Sequence, residues 1–201
     1  MKLVEEYEED YGDIPFDFDE RISYIKSKIK STKVLESIDT EVRRIKKIKW
    51  KHIEFIFYLV PAATPRPRLG CNGRFYVKGA ADNKKFFKEY MKTIEDMKLI
   101  ITPCKFHCTS YLPTPKSMPK SNQLLAEMGL IRPISKPDFD NLAKTYADMI
   151  QGTLLYDDAL IIEGVSKKYY SIKPRIEIKI DYMSDFDSLF NAKKILSKIN
   201  S

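Results

Sequence analysis

Close to the C-terminus, Ile176, Ile178 and Ile180 alternate with Glu177, Lys179 and Asp181. A period of two is the spacing of a strand with one dry face and one wet face. The same rhythm runs through 105–112, where Phe106, Cys108 and Ser110 alternate with His107, Thr109 and Tyr111. Two such strands cannot stand alone. They need further strands beside them and a layer over the dry face. Residues 53–60 and 160–170 supply more strand-like sequence, rich in β-branched and aromatic side chains, and 73–78 suits a short strand.

Between these runs the period becomes helical. Leu142, Tyr146, Met149 and Ile150 fall on one face of a helix over 139–151, stopped by Gly152. A second helix over 82–97 turns Phe87, Tyr90, Met91 and Ile94 inward and Lys84, Lys85, Lys88 and Lys92 outward. A short one spans 123–128 and stops at Gly129. Pro61, Pro65, Pro67 and Gly70 make the stretch after the first strand irregular. The order of elements predicts an α+β fold, a single domain with a mixed β-sheet packed by helices, over 50–183. Residues 20–47 read as a helical appendage, since Ile22, Ile25 and Ile29 and then Val34, Ile38, Val42 and Ile45 keep helical spacing. With the acidic, irregular residues 1–20 they form an N-terminal extension, 1–49. Ser184 suits an N-cap for a last helix over 184–201, with Phe186, Leu189, Phe190 and Leu196 inward.

Charge narrows the function. The net charge of +7 hides an asymmetry, because residues 1–20 hold nine acids against Lys2 alone. The remaining chain carries 34 basic and 19 acidic side chains, a balance of +15. Such a body attracts phosphate polyanions, although basic surfaces also serve plain solubility. The three cysteines are odd in number and form no CxxC, so they read as buried or inert thiols of an intracellular protein. No apolar run approaches the ~18 residues of a membrane span. The acidic start is no secretion signal. The expectation is a cytoplasmic protein without membrane contact.

The segment Lys136-Pro137-Asp138-Phe139-Asp140-Asn141 carries the chemistry. Two carboxylates two residues apart repel each other unless a divalent cation sits between them. Mg²⁺ takes hard oxygen ligands and keeps several waters, so two or three carboxylates suffice. Asp157-Asp158, at the entrance to the next strand, is placed to supply a third. Lys144, one helical turn beyond Asp140, suits the same phosphate. An ordinary account stands beside this one. Asp caps helix starts, and Asp140, Lys144 and Asp148 at i, i+4 and i+8 equally describe a ladder of surface ion pairs.

The full pattern resembles the RusA-type Holliday junction resolvases, a family of endodeoxyribonucleases. The likeness rests on 136–144, on Asp148, Gly152 and Asp157-Asp158-Ala159, on Lys167-Lys168-Tyr169, and on the proline-rich loop with Arg66 and Arg68. It covers roughly 50–182. It implies a compact α+β homodimer that cuts branched DNA with Mg²⁺, or with Mn²⁺ as a substitute, during recombination and repair in a bacterial or phage-infected cell. The family's metal-binding acids match Asp138, Asp140 and Asp158, with Asp157 adjacent as an alternative ligand; its catalytic lysine matches Lys144. A dimer suits a four-way junction, whose two-fold symmetry calls for paired nicks. The loop 113–136 is long beside shorter family members, which leaves room for a different substrate preference. DNA contacts are expected from Arg66, Arg68, Arg74, Lys136, Lys167 and Lys168, which position the backbone more than they read bases. Two other functions stay open: a flap- or fork-directed nuclease of the same fold, and a noncatalytic branched-DNA-binding protein.

Overall fold

A computed structural model describes residues 2–8, 17–63, 68–69, 75–76, 89–90 and 99–184. Its elements, in chain order, are β1 (Lys2–Glu8), α1 (Phe18–Ser27), α2 (Thr32–Ile45), β2 (Lys49–Phe57), β3 (Arg68–Leu69), β4 (Phe75–Tyr76), β5 (Cys104–Pro113), α3 (Lys120–Glu127), α4 (Phe139–Ile150), β6 (Ile161–Ser171) and β7 (Arg175–Met183). The main sheet has the order β1–β2–β7–β5–β6, and β3 pairs with β4 apart from it. β5 runs antiparallel to β7 and parallel to β6, so the sheet is mixed and the architecture is α+β. The chain divides into two compact units, Met1–Leu3 with His52–Tyr182, and Val4–Lys51 with Met183–Ser201.

In the first unit the dry face is built by the two alternating strands. Ile176, Ile178 and Ile180 are fully buried, and Ser110, Cys108 and Phe106 stand across the register from them, with Leu112 buried further along β5. α4 covers this face with Leu142, Tyr146, Met149 and Ile150, all buried, as their spacing requires. The opposite, wet face pairs its polar side chains across strands. His52 Nδ1 meets Asp181 at 2.7 Å, and Lys179 meets Glu54 at 3.3 Å. Two glycines at positive φ end helices. Gly129 (φ 75°) follows α3 and Gly152 (φ 76°) follows α4, where a side chain would strain the left-handed turn.

In the second unit Asp17 caps α1 by accepting from Glu20 N at 2.9 Å. Lys26 pairs with Asp39 between α1 and α2. Ile48, Trp50 and Met183 make a small core, with Ile45 against it. Among the described residues no helix is long and apolar enough to cross a membrane.

Several expectations shift. The helix read over 20–47 breaks at 28–31, and Ser31 takes extended dihedrals as the N-cap of α2. The signal was a phase slip: Val34 lies five residues after Ile29, which no helical face accommodates. Residues 2–8, read as irregular, form a strand at the end of the sheet order. Backbone pairing at an edge tolerates charged side chains. The strand read over 53–60 starts earlier and ends earlier, at Lys49–Phe57. There Leu59 N bonds back to Phe57 O and turns the chain. The helices read over 82–97 and 184–201 and most of the strand over 73–78 lie outside the described residues, apart from helical residues 89–90.

Burial pushes the Cys104 thiol up to about 12 and that of Cys108 up to about 11, the latter eased by a contact with the Ser110 hydroxyl. Both are therefore held neutral. The stability they contribute is whole below pH ~9 and is lost as pH rises through those values. Native protein at pH 8 should leave both unalkylated by iodoacetamide, and urea-unfolded protein should react at both, as peptide mass spectrometry would read.

Candidate active site

The acid-bearing segment lies where the chain enters α4. Asp138 is the N-cap residue, with extended dihedrals (φ −68°, ψ 147°), yet its side chain makes no capping bond. Asp140 stands in the first turn and is exposed. Lys144, one turn further along, is exposed as well. None of the three side chains has a hydrogen-bond or ion-pair partner among the described residues, and that of Asp148 has none either. The ladder of ion pairs that spacing alone allowed does not form. The carboxylates are left with their full complement of lone pairs.

Asp157 and Asp158 separate in role. Asp157 caps a 3-10 turn over Asp158–Leu160 by accepting from Ala159 N at 2.9 Å. Asp158 is exposed and uncommitted. This turn leads into β6, far from the start of α4. Ser166, which touches the first residue of α4, lies five strand residues beyond Ile161, roughly 17 Å at about 3.3 Å per residue. Accordingly, no three His, Cys, Asp or Glu side chains gather to hold a metal among the described residues. Asp138 and Asp140 lie two residues apart at the start of α4; Asp158 stands apart from them within one chain.

The basic residues divide too. Lys136 is exposed beside the acids, and Lys167 is exposed on β6. Lys168, next to it, is half-buried and donates to the Ser135 carbonyl at 3.0 Å and the Pro137 carbonyl at 2.9 Å. Arg68 lies in β3, of which only the backbone is described; Arg66 and Arg74 fall outside the described residues. Tyr146 reaches the start of that arginine-bearing loop, accepting from Ala62 N at 3.1 Å.

Sequence reasoning missed Ser166, which donates to the Phe139 carbonyl at 2.7 Å, and Arg132, whose guanidinium lies 4.8 Å over the Tyr169 ring. Tyr169 in turn stacks on Tyr111 at 5.7 Å, and Arg175 covers Tyr111 at 3.5 Å. Tyr169 is thereby held between the Arg132 guanidinium and the Tyr111 ring. Arg132 and Ser166 carried no motif signal, because their partners are backbone atoms and residues distant in sequence.

The donor set fits a hard divalent cation. Asp138 and Asp140 offer unpartnered carboxylate oxygens two residues apart, and among the described residues no sulfur or imidazole stands with them. Capping makes a separate prediction. Asp157→Ala should cost about 1 kcal/mol in urea denaturation, whereas Asp158→Ala should leave the midpoint unchanged.

Comparison with known proteins gives the family. Residues 59–181 match the family described as endodeoxyribonuclease RusA. The chain is also similar to YqaN, an uncharacterised protein of Bacillus subtilis, with 34% identity over 139 residues, covering 66% of this chain and 97% of YqaN. The match takes in Asp138, Asp140, Lys144 and Asp158, and the chain belongs to the RusA endodeoxyribonuclease family.

Proposed function

We propose that the protein is a homodimeric, Mg²⁺-dependent endodeoxyribonuclease that resolves four-way DNA junctions by paired, symmetric nicks. The observation that carries this reading is the free pair Asp138 and Asp140 at the start of α4, followed one turn on by the free ammonium of Lys144. The body 50–183 would do the chemistry. The extension 1–49 and the segment 184–201 would flank it.

Asp138 and Asp140 would hold the ion, with Asp158 as a third ligand. When bound, Mg²⁺ supplies a Lewis acid that polarises the phosphoryl oxygen and lowers the pKa of water, and Mn²⁺ can substitute. Lys144 projects from the same helical face as Asp140 and offsets charge that grows on the phosphate. Lys136 and Lys167, with Arg66, Arg68 and Arg74, would contact the DNA backbone and draw it in.

The separation of Asp158 from the other two acids favours a dimer on physical grounds. α4 has 12 residues, about 18 Å at 1.5 Å each, with Asp138 and Asp140 at its start and the 3-10 turn beyond its end. No side-chain rotation spans that. A second copy related by two-fold symmetry can bring its own Asp158 to the first copy's Asp138 and Asp140, and the exchange is reciprocal.

Wild type is expected to nick a labelled four-way junction symmetrically in Mg²⁺, to spare a matched linear duplex, and to stop in EDTA; Asp140→Asn should abolish cutting. Preferential cutting of flaps or forks would keep the chemistry and change the substrate. Tight junction binding without cutting in any metal would leave only a binding protein. Subunit mixing tests the shared site. Asp140→Asn and Asp158→Asn should each be inactive, and an equilibrated mixture should regain nicking, since one of the two sites in each heterodimer is intact. A mixture as dead as its parents would put all three acids in one chain.

A further inference from the structure

Two side chains of β6 reach across to the segment that carries the acids. Lys168 Nζ donates to the carbonyls of Ser135 and Pro137, at 3.0 and 2.9 Å. Ser166 Oγ donates to the carbonyl of Phe139 at 2.7 Å. Ser166 and Lys168 are two apart on a strand and therefore share a face. Residues 135, 137 and 139 are spaced alike, so β6 sends a short rung to every second carbonyl.

The identity of those carbonyls matters. Pro137 C=O lies in the peptide plane that contains Asp138 N, and Phe139 C=O in the plane that contains Asp140 N. Fixing these two planes fixes the backbone from which each carboxylate springs. The Lys168 ammonium has two of its three donors committed to this task. Lys167 points to the other face of β6 and has no partner among the described residues. The adjacent lysines are thus divided between backbone support and open solvent.

We propose that Lys168, with Ser166, is a positioning residue that sets Asp138 and Asp140 for metal binding, rather than a DNA contact. The inference rests on the nuclease reading only for what the carboxylates do once the metal is bound. Supporting groups behind metal ligands typically govern affinity by 10- to 100-fold, and phosphate contacts govern the salt dependence of DNA binding.

The test uses full-length wild type, Lys168→Met, Lys168→Arg and Ser166→Ala, each checked for folding by thermal melting. Mn²⁺ binding is read by electron paramagnetic resonance of the free ion. Junction affinity is read in EDTA across a range of salt. Lys168→Met should weaken Mn²⁺ binding by about 10- to 100-fold, Ser166→Ala by less, and Lys168→Arg should recover much of the loss. Junction affinity and its salt slope should stay at wild-type values. If Lys168→Met fails to fold, Lys168→Arg and Ser166→Ala carry the comparison. Unchanged Mn²⁺ binding in the variants, with a salt slope shallower by about 0.9 for Lys168→Met, would overturn the proposal and make Lys168 a phosphate contact. A wild type that binds no Mn²⁺ would overturn it as well. A wild type that binds Mn²⁺ and cuts no DNA would remove the nuclease reading alone, while the Mn²⁺ comparison still decides the role of Lys168.

Discussion

Because β5 and β6 run parallel, the chain must travel back along the sheet between them, and it does so through α3 and α4. That single pairing decides where the acids go. α4 has to lie over the dry face with its start beside the middle of β6, where Ser166 bonds to Phe139. The turn that carries Asp157 and Asp158 has to lie where β6 begins. Had β6 entered from the other end of the sheet, Asp158 would stand beside Asp138 instead of a helix length away.

The same arrangement explains why the carboxylates are free rather than paired. A helix N-terminus favours negative charge through its dipole and unsatisfied N–H groups. Asp138 and Asp140 occupy that position without making a side-chain capping bond. Their backbone is held from behind by Lys168 and Ser166, so their oxygens need no internal partner to stay in place. Asp157 makes the opposite choice and takes up the cap of its turn, which leaves Asp158 exposed and unspent.

Away from the acids, one end of the sheet is stiffened by stacked rings and cations. Arg132, Tyr169, Tyr111 and Arg175 lie in succession. Glu127 ties the end of α3 to Ser171 and to the backbone of Ile172. Arg132 also donates to the carbonyl of Gly129, where α3 ends at positive φ. The chain between α3 and α4 is therefore anchored at its first residues and again at 135–139, so the acids sit on a supported segment.

Periodicity was enough to read β5, β7 and α4, because each buries one face and a slip of one residue would turn that face to water. Gly129 and Gly152 marked their helix ends for the same kind of local reason. The family likeness was legible because most of the residues that carry it, Asp138, Asp140 and Lys144 among them, lie close together along the chain. The sequence by itself could not tell Asp157 from Asp158, or Lys167 from Lys168, since neighbours in sequence have the same composition and differ only in what they face. Nor could it show the strand at 2–8, whose acidic residues hide a backbone pairing, or the distance from Asp140 to Asp158. Those were decided by tertiary structure, because the direction of a strand and the partner of a side chain are set by contacts between segments far apart in the chain.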